Sequence, residues 1–263
     1  MAEDRPFIGT ARDYSVYRVP YPKSLIDELT THTELTGVGK LLDLGCGPGR
    51  LTLLLSDYFA QCIAVDPEPE AVAFGEKQAI AEGIENVAWI VDSSETVELS
   101  SNEFELITIG EAFHRMNRPL VTKKSFGWLK RGAWIALLWQ DHMWHSDELW
   151  ARTMVDIVNR WTRKKLPTRQ EDLSARSRDP FENHLISNGF ESITQKLFEV
   201  NFKWNIESLI GFLRSTSFAS QARLAEKFNN LETELRLQLP LCNPSGVYDE
   251  VITFGFILGR RPI

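Results

Sequence analysis

Cysteine is scarce in this chain: Cys46, Cys62 and Cys242 are the only three among 263 residues. Three scattered thiols cannot build a disulfide framework, and their spacing fits no zinc site. Such sparing use of cysteine points to a reducing, cytoplasmic setting. Long apolar runs are also missing. The most apolar stretch, Ala133 to Trp139, falls far short of the roughly 20 residues that a membrane helix needs. The first residues, Met1-Ala2-Glu3-Asp4-Arg5-Pro6, are charged and have no apolar run behind them, which is not the form of a secretory signal. Positive charge is in deficit, with 29 Lys+Arg against 36 Asp+Glu and a net charge of −7. A nucleic-acid or anionic-membrane binder needs a basic surface, so neither partner is expected. Internal repeats and low-complexity tracts are absent too.

What remains is the composition of a globular protein, 43% hydrophobic and 25% charged, with enough apolar residues for a sizeable core. From Lys40 to Trp139 short apolar runs alternate with helix-like segments. Strands are expected at residues 40–44, 62–65, 87–91, 104–109 and 134–139. Helices are expected at 50–60, 70–82 and 120–129, the last closing on Lys130-Arg131-Gly132. That order predicts an α/β fold with a mostly parallel sheet covered on both faces. After Trp139 the pattern loosens. Residues 146–163, 181–189, 208–218 and 221–239 have helical spacing, and 166–180 reads as a charged loop. Residues 193–204 alternate strictly, as an antiparallel strand with one wetter face does, and 247–259 is a last strand. We read residues 1–263 as one domain. Residues 1–39 form an N-terminal helical or lid segment, 40–140 the ligand-binding core, and 141–192 and 205–246 helical cap insertions around late strands 193–204 and 247–259.

The chemistry is most legible at Leu41-Leu42-Asp43-Leu44-Gly45-Cys46-Gly47-Pro48-Gly49-Arg50. Glycines at the end of a first strand let backbone approach a ligand closely. A dinucleotide site would space them G-x-G-x-x-G. Here the spacing is G-x-G-x-G, with Arg50 in the place of the third glycine. Asp43 precedes the turn. Its charge would repel a pyrophosphate and suits a ligand carrying an ammonium group. Asp66 ends the second strand, 21 residues beyond Gly45, where a ribose-hydroxyl acceptor belongs. It equally suits a helix N-terminus after Pro67. Asp92 ends the third strand and can accept from an exocyclic adenine amine, while the Ser93 N–H can meet a ring nitrogen. A polar turn is the plainer reading of that pair.

The segment Leu41 to Arg50 resembles the glycine motif of class I S-adenosylmethionine-dependent methyltransferases. The resemblance continues through Ala64-Val65-Asp66-Pro67, Val91-Asp92 and Phe104-Glu105-Leu106-Ile107. Tyr14 to Pro22 and Ala112-Phe113-His114-Arg115-Met116 resemble segments of small-molecule members related to trans-aconitate methyltransferase. This similarity implies a Rossmann-like, mostly parallel seven-stranded sheet with an antiparallel late strand and a helical cap. It implies S-adenosyl-L-methionine as cofactor and methyl transfer to a small organic acceptor by O-, N- or C-methylation; no metal is expected, because His142 and His145, three apart, have no third ligand at suitable spacing. By the same resemblance Gly45, Cys46 and Gly47 would contact the methionine moiety, with Asp43 near its ammonium. Asp66 would bind ribose, Pro67 would lie near adenine, and Asp92 with Ser93 would meet the adenine edge. Glu111 would lie near the methionyl group, and Arg18 would pair with the cofactor carboxylate as a fork. Glu105 stands where the family often has Asp, a position that is usually structural.

Methyl transfer is a direct displacement in which the cofactor carries the difficult chemistry. The protein aligns the acceptor and excludes water. A neutral alcohol or a protonated amine also needs a base. His114, at the carboxyl end of the fourth strand, is the best-placed candidate; His142 and His145 follow the fifth strand. Tyr21, Phe113, Trp139, His142, Trp144 and Arg214 are candidates for holding the acceptor, although core packing explains most aromatics equally well. Two other readings stay open. One is a cofactor-binding relative that acts as a cyclase, isomerase or binding module. The other is a nicotinamide oxidoreductase, against which the glycine spacing and Asp43 both speak. Neither the acceptor nor the oligomeric state is legible.

Overall fold

The structure is a computed structural model that describes residues 7–35, 37–141 and 143–263. His142 and Met1 to Pro6, singled out above, lie outside the described residues. The described chain forms two compact units. One, the sheet unit, comprises Tyr21–Gln140, Arg178–Phe198 and Phe254–Ile263. The other, the helical unit, comprises the described residues of Met1–Pro20, Asp141–Ser177 and Glu199–Thr253.

Seven strands are present among the described residues: β1 Lys40–Leu44, β2 Gln61–Asp66, β3 Val87–Val91, β4 Phe104–Gly110, β5 Leu129–Gln140, β6 Glu191–Trp204 and β7 Tyr248–Arg260. They form one sheet in the order β3-β2-β1-β4-β5-β7-β6. β1 to β5 run parallel, and β7 runs antiparallel to β5 and to β6. The α/β, Rossmann-like sheet expected from the sequence is therefore present. Four of the five β1 residues are buried, and three of those are leucine. This makes β1 central, because burying each such side chain stabilises by about 1.5–3 kcal/mol. β3 is an edge strand and its residues are only partly covered. The chain steps outward from β1 to β2 and β3, then returns to lay β4 on the other side of β1. This reversal makes the carboxyl ends of β1 and β4 a topological switch point, the place where open α/β sheets receive ligands.

Several boundaries differ from expectation. The helix after the glycine turn spans Arg50–Leu55 and tightens into a 3-10 turn at Ser56–Tyr58. Lys130-Arg131-Gly132 belongs to β5, not to a helix end. Leu129 is already extended, and Gly132 takes φ +76°, so the strand bulges between the Phe104–Leu129 and Leu106–Trp134 pairs. Residues expected to be a charged loop form a helix, Arg169–Arg178, that buries no side chain. Its start is a reciprocal cap. The Glu171 carboxylate accepts from the Thr168 N–H at 2.8 Å, and the Thr168 hydroxyl accepts from the Glu171 N–H at 3.3 Å. The late helical segment divides into Gln221–Leu224 and Lys227–Cys242, with Ala225 at φ +48° between them.

Within the helical unit, Leu149–Thr162 packs along Lys227–Cys242, and Ala11–Tyr17 along Ile206–Arg214. Trp150, Met154, Ile157 and Val158 are buried at helical spacing, facing a unit core that also holds Phe228, Leu231, Leu235 and Leu239. No described helix is long and apolar enough to cross a membrane.

Candidate functional site

The glycine turn follows β1. Gly45, Gly47 and Gly49 all take positive φ, at +67°, +55° and +77°, a region that costs other residues strain. Two of them are also closely packed. A Cβ on Gly45 would lie 2.6 Å from that of Ala112, and a Cβ on Gly49 would overlap the Trp89 ring. At Gly47 the same position is open space, so the turn shows bare backbone to whatever lies above it.

The turn's N–H groups are already committed. Those of Gly45 and Cys46 donate to the Val65 carbonyl at 2.8 and 3.1 Å, and Gly49 donates to Cys46 at 3.0 Å. Gly47 donates to Asp66 Oδ2 at 2.9 Å, and Pro48 has none to give. A phosphate-binding turn aims its N–H groups at the anion; this one spends them on β2. The arrangement disfavours a pyrophosphate at Gly45–Gly49 and with it a nicotinamide dinucleotide.

Asp66 sits at the end of β2 and ties three segments together. Beyond the bond from Gly47, its Oδ1 accepts from the Glu68 N–H at 2.8 Å; the N-cap of the helix Pro69–Glu82 is Glu68 and not Asp66. Burial pushes its carboxyl above the usual range, against the lowering effect of those two bonds. A carboxylate has about four acceptor positions, so bonds to ligand hydroxyls remain within its capacity. Asp92 Oδ1 accepts from the Ser93 N–H at 2.7 Å and from the Thr96 hydroxyl at 2.5 Å. The Ser93 N–H is thus directed at Asp92. No partner meets Asp92 Oδ2 among the described residues. Pro67 is exposed beside them.

Asp43 is 1% exposed. Its oxygens accept from Thr52 Oγ1 at 2.5 Å and Thr108 Oγ1 at 2.8 Å. Burial raises its carboxyl to about 6, with the nearby Asp66 charge adding to the effect and the two hydroxyls opposing it. Thr52 and Thr108 escaped the sequence reading, and a hydroxyl in an otherwise apolar helix or strand was the one signal for them. Because the folded-state value is raised, the group favours folding most below about 4 and loses that contribution as pH rises through about 6. We expect wild type to lose stability relative to Asp43→Asn between pH 4 and 7 in urea titrations. Parallel profiles would remove Asp43 as the source.

At the end of β4, Glu111 takes φ +57°. Its Oε1 accepts from the Gln140 N–H at 2.6 Å, joining the carboxyl ends of β4 and β5. The Tyr21 hydroxyl lies over Gly110, where a Cβ would come within 2.6 Å of it, and the Arg50 guanidinium lies 5.8 Å from the Tyr21 ring centre. His114 is exposed in the 3-10 turn Phe113–Arg115 that follows. Phe113 is 2% exposed and packs edge-on against Phe181 and His184; it is a core residue with no face for a ligand. Trp139 covers Gly255 of β7.

Arg18, Trp144 and Arg214 belong to the helical unit. Arg18 Nε donates to Ser215 Oγ at 2.8 Å, and its guanidinium lies 4.7 and 4.6 Å from the Tyr14 and Phe212 ring centres. Trp144 packs against Phe212 and Phe218. Arg214 pairs with Glu232 at 2.7 Å and lies over Phe228, which accounts for it structurally.

Residues 41–132 match the model of a methyltransferase domain family. An uncharacterized methyltransferase of Schizosaccharomyces pombe is 23% identical over 224 residues, covering 85% of this chain and 83% of that protein. The YcgJ protein of Bacillus subtilis, named an uncharacterized methyltransferase, is 27% identical over 117 residues, 44% of this chain and 46% of its own. Its crystal structure superposes with a TM-score of 0.57 over 92% of this chain and all of the other, at 16% identity, a likeness of fold. The glycine turn, the acids that end β2 and β3, the sheet order and these relatives converge on the fold of the class I, S-adenosylmethionine-dependent methyltransferases, and residues 41–132 match a methyltransferase domain.

Proposed function

We propose that the protein binds S-adenosyl-L-methionine at the carboxyl ends of β1 and β4 and methylates a small organic acceptor. One observation carries the cofactor reading: Asp66 fastens the Gly47 N–H, leaving a bare, anion-averse turn beside a buried acid. The donor chemistry fits. A methylsulfonium nucleoside brings hydroxyls, an amine and positive charge, and the described groups here are acceptors and carboxylates. When bound, the cofactor supplies a methyl already activated on sulfur.

The chain's own residues orient and exclude. Asp66 would accept the ribose hydroxyls, Asp92 Oδ2 the adenine amine, and Pro67 would offer an apolar edge to the base. Gly45, Cys46 and Gly47 would let the methionyl chain approach the backbone. Asp43 and Glu111 would set a negative field for its ammonium and sulfonium. His114 would take the acceptor's proton where the acceptor is a neutral alcohol or an amine.

Incubation with methyl-labelled cofactor and a panel of small carboxylates, phenols and amines tests the reading. Acceptor-dependent release of S-adenosylhomocysteine is the expected result. Tight binding of that product with no turnover on any acceptor would favour a cyclase, isomerase or binding role. For His114→Ala we expect turnover to fall at least 100-fold, with affinity for S-adenosylhomocysteine unchanged. Unaltered turnover would rule out an essential base there.

A further inference from the structure

The helical unit contains a cleft of about 570 Å³, set among Asp141, His145, Ser146, Glu148, Arg169, the 201–203 stretch of β6 and the 249–251 stretch of β7. Along β7 the buried positions alternate as Tyr248, Glu250 and Ile252. The two-residue period therefore places a carboxylate where an apolar side chain would be expected. Glu250 is 8% exposed. Its Oε2 accepts from the Trp204 indole N–H at 2.5 Å. No described donor meets Oε1, although the residue lines the cleft. Oε1 is not among the buried atoms left without a partner, so it opens to the cleft, where a donor can reach it.

The nearby cations do not supply that donor. Arg169 reaches Asp141 at 3.4 Å, and Lys203 lies 3.8 Å from Asp249. His145 Nδ1 lies 2.7 Å from Asp141, and its Nε2 is 3.0 Å from Asp172. With Glu148 on the rim, four acids line the cleft against two permanent cations, a balance that repels anions. Burial, reinforced by the Asp141 charge, pushes the Glu250 acid up to about 7. Phe202 lines the same cleft and packs edge-on to Trp204, ring centres 4.6 Å apart. A carboxylate beside an aromatic ring is a setting for an ammonium group. A metal is a poorer fit, since no three His, Cys, Asp or Glu side chains converge as ligands among the described residues.

We propose that this cleft binds a small molecule through a protonated amine, which donates to Glu250 Oε1 beside the Phe202 ring. The site does not depend on methyl transfer. On binding, Glu250 gives its proton to solvent, and the amine's charge takes the place of that proton.

Benzylamine, with benzyl alcohol as its neutral counterpart and benzoate as an anion, can be titrated into the full chain by ligand-observed NMR at pH 6 and pH 8. We expect saturable binding of benzylamine alone, about five- to tenfold weaker at pH 6, where Glu250 carries its proton. Glu250→Gln should weaken binding at pH 8 at least tenfold and abolish the pH dependence. Trp204→Phe keeps the ring but removes the donor to the carboxylate, so it should move the pH midpoint upward with binding retained. This gives a reading even if the glutamine variant does not fold. Equal binding of amine and alcohol, no amine binding, or unchanged affinity in Glu250→Gln would overturn the proposal. So would a pH dependence that survives in that variant. S-Adenosylhomocysteine affinity measured in parallel reports on the methyltransferase site separately.

Discussion

Replacing Asp66 by alanine is expected to lower the affinity for S-adenosylhomocysteine about 100-fold or more in calorimetric titrations. Two effects act together. The variant loses the acceptor proposed for the ribose hydroxyls, and hydrogen bonds to a charged group contribute about 1.5–3 kcal/mol each. It also leaves the Gly47 and Glu68 N–H groups without their carboxylate, which frees the turn from the end of β2. Adenosine separates the two effects. A nucleoside that never touches the turn should still lose affinity if the carboxylate holds ribose. Asp66→Asn keeps one amide oxygen for one of the N–H groups and should fall between the two proteins. Equal affinity in wild type and Asp66→Ala would remove this residue from the cofactor site.

Gly49→Ala is expected to cost about 3 kcal/mol of stability. The backbone there has φ +77°, and a non-glycine residue in that region pays about 1–2 kcal/mol. The new methyl would also overlap the Trp89 ring, which is pressed equally against Gly75, where a Cβ would lie 2.6 Å away. Overpacking of this kind costs about 1–3 kcal/mol. Trp89 thus wedges the helix start and the Pro69–Glu82 helix onto the sheet, and both glycines exist to admit it. Urea midpoints measure the loss. In a Trp89→Leu background the overlap is relieved and only the backbone cost remains, so the Gly49→Ala effect should shrink by about 1 kcal/mol or more. Gly47→Ala is the contrasting case: it meets open space, so it should cost only the backbone strain while filling the space proposed for the ligand. An unchanged midpoint in Gly49→Ala would refute the wedge.

The parts of the site that were legible in the sequence are local. Five strands announced themselves because each is a short apolar run, and the acid-led glycine turn because glycine takes positive φ without the steric cost that other residues pay. Asp66 and Asp92 were legible because a strand end is a place where a polar side chain breaks the run. The Arg169–Arg178 helix was missed because it buries nothing, so no apolar period marks it. Its one cue was the Thr168–Glu171 cap. Lys130-Arg131-Gly132 misled because basic residues before a glycine resemble a helix end, whereas pairing with β4 made them strand.

The linear order of residues was enough to set the strand succession, the turn conformation and the identity of the acids, since these depend on side-chain period and on backbone sterics within a few residues. Only the folded molecule decided where hydrogen bonds go. That the turn spends its N–H groups on Val65 and Asp66, that Thr52 and Thr108 hold Asp43, and that Trp204 meets Glu250 across 46 residues all follow from how strands pair and how the helix after β1 packs in the folded chain. A buried polar group takes whatever partner that packing brings, and its own neighbours in the chain do not specify it.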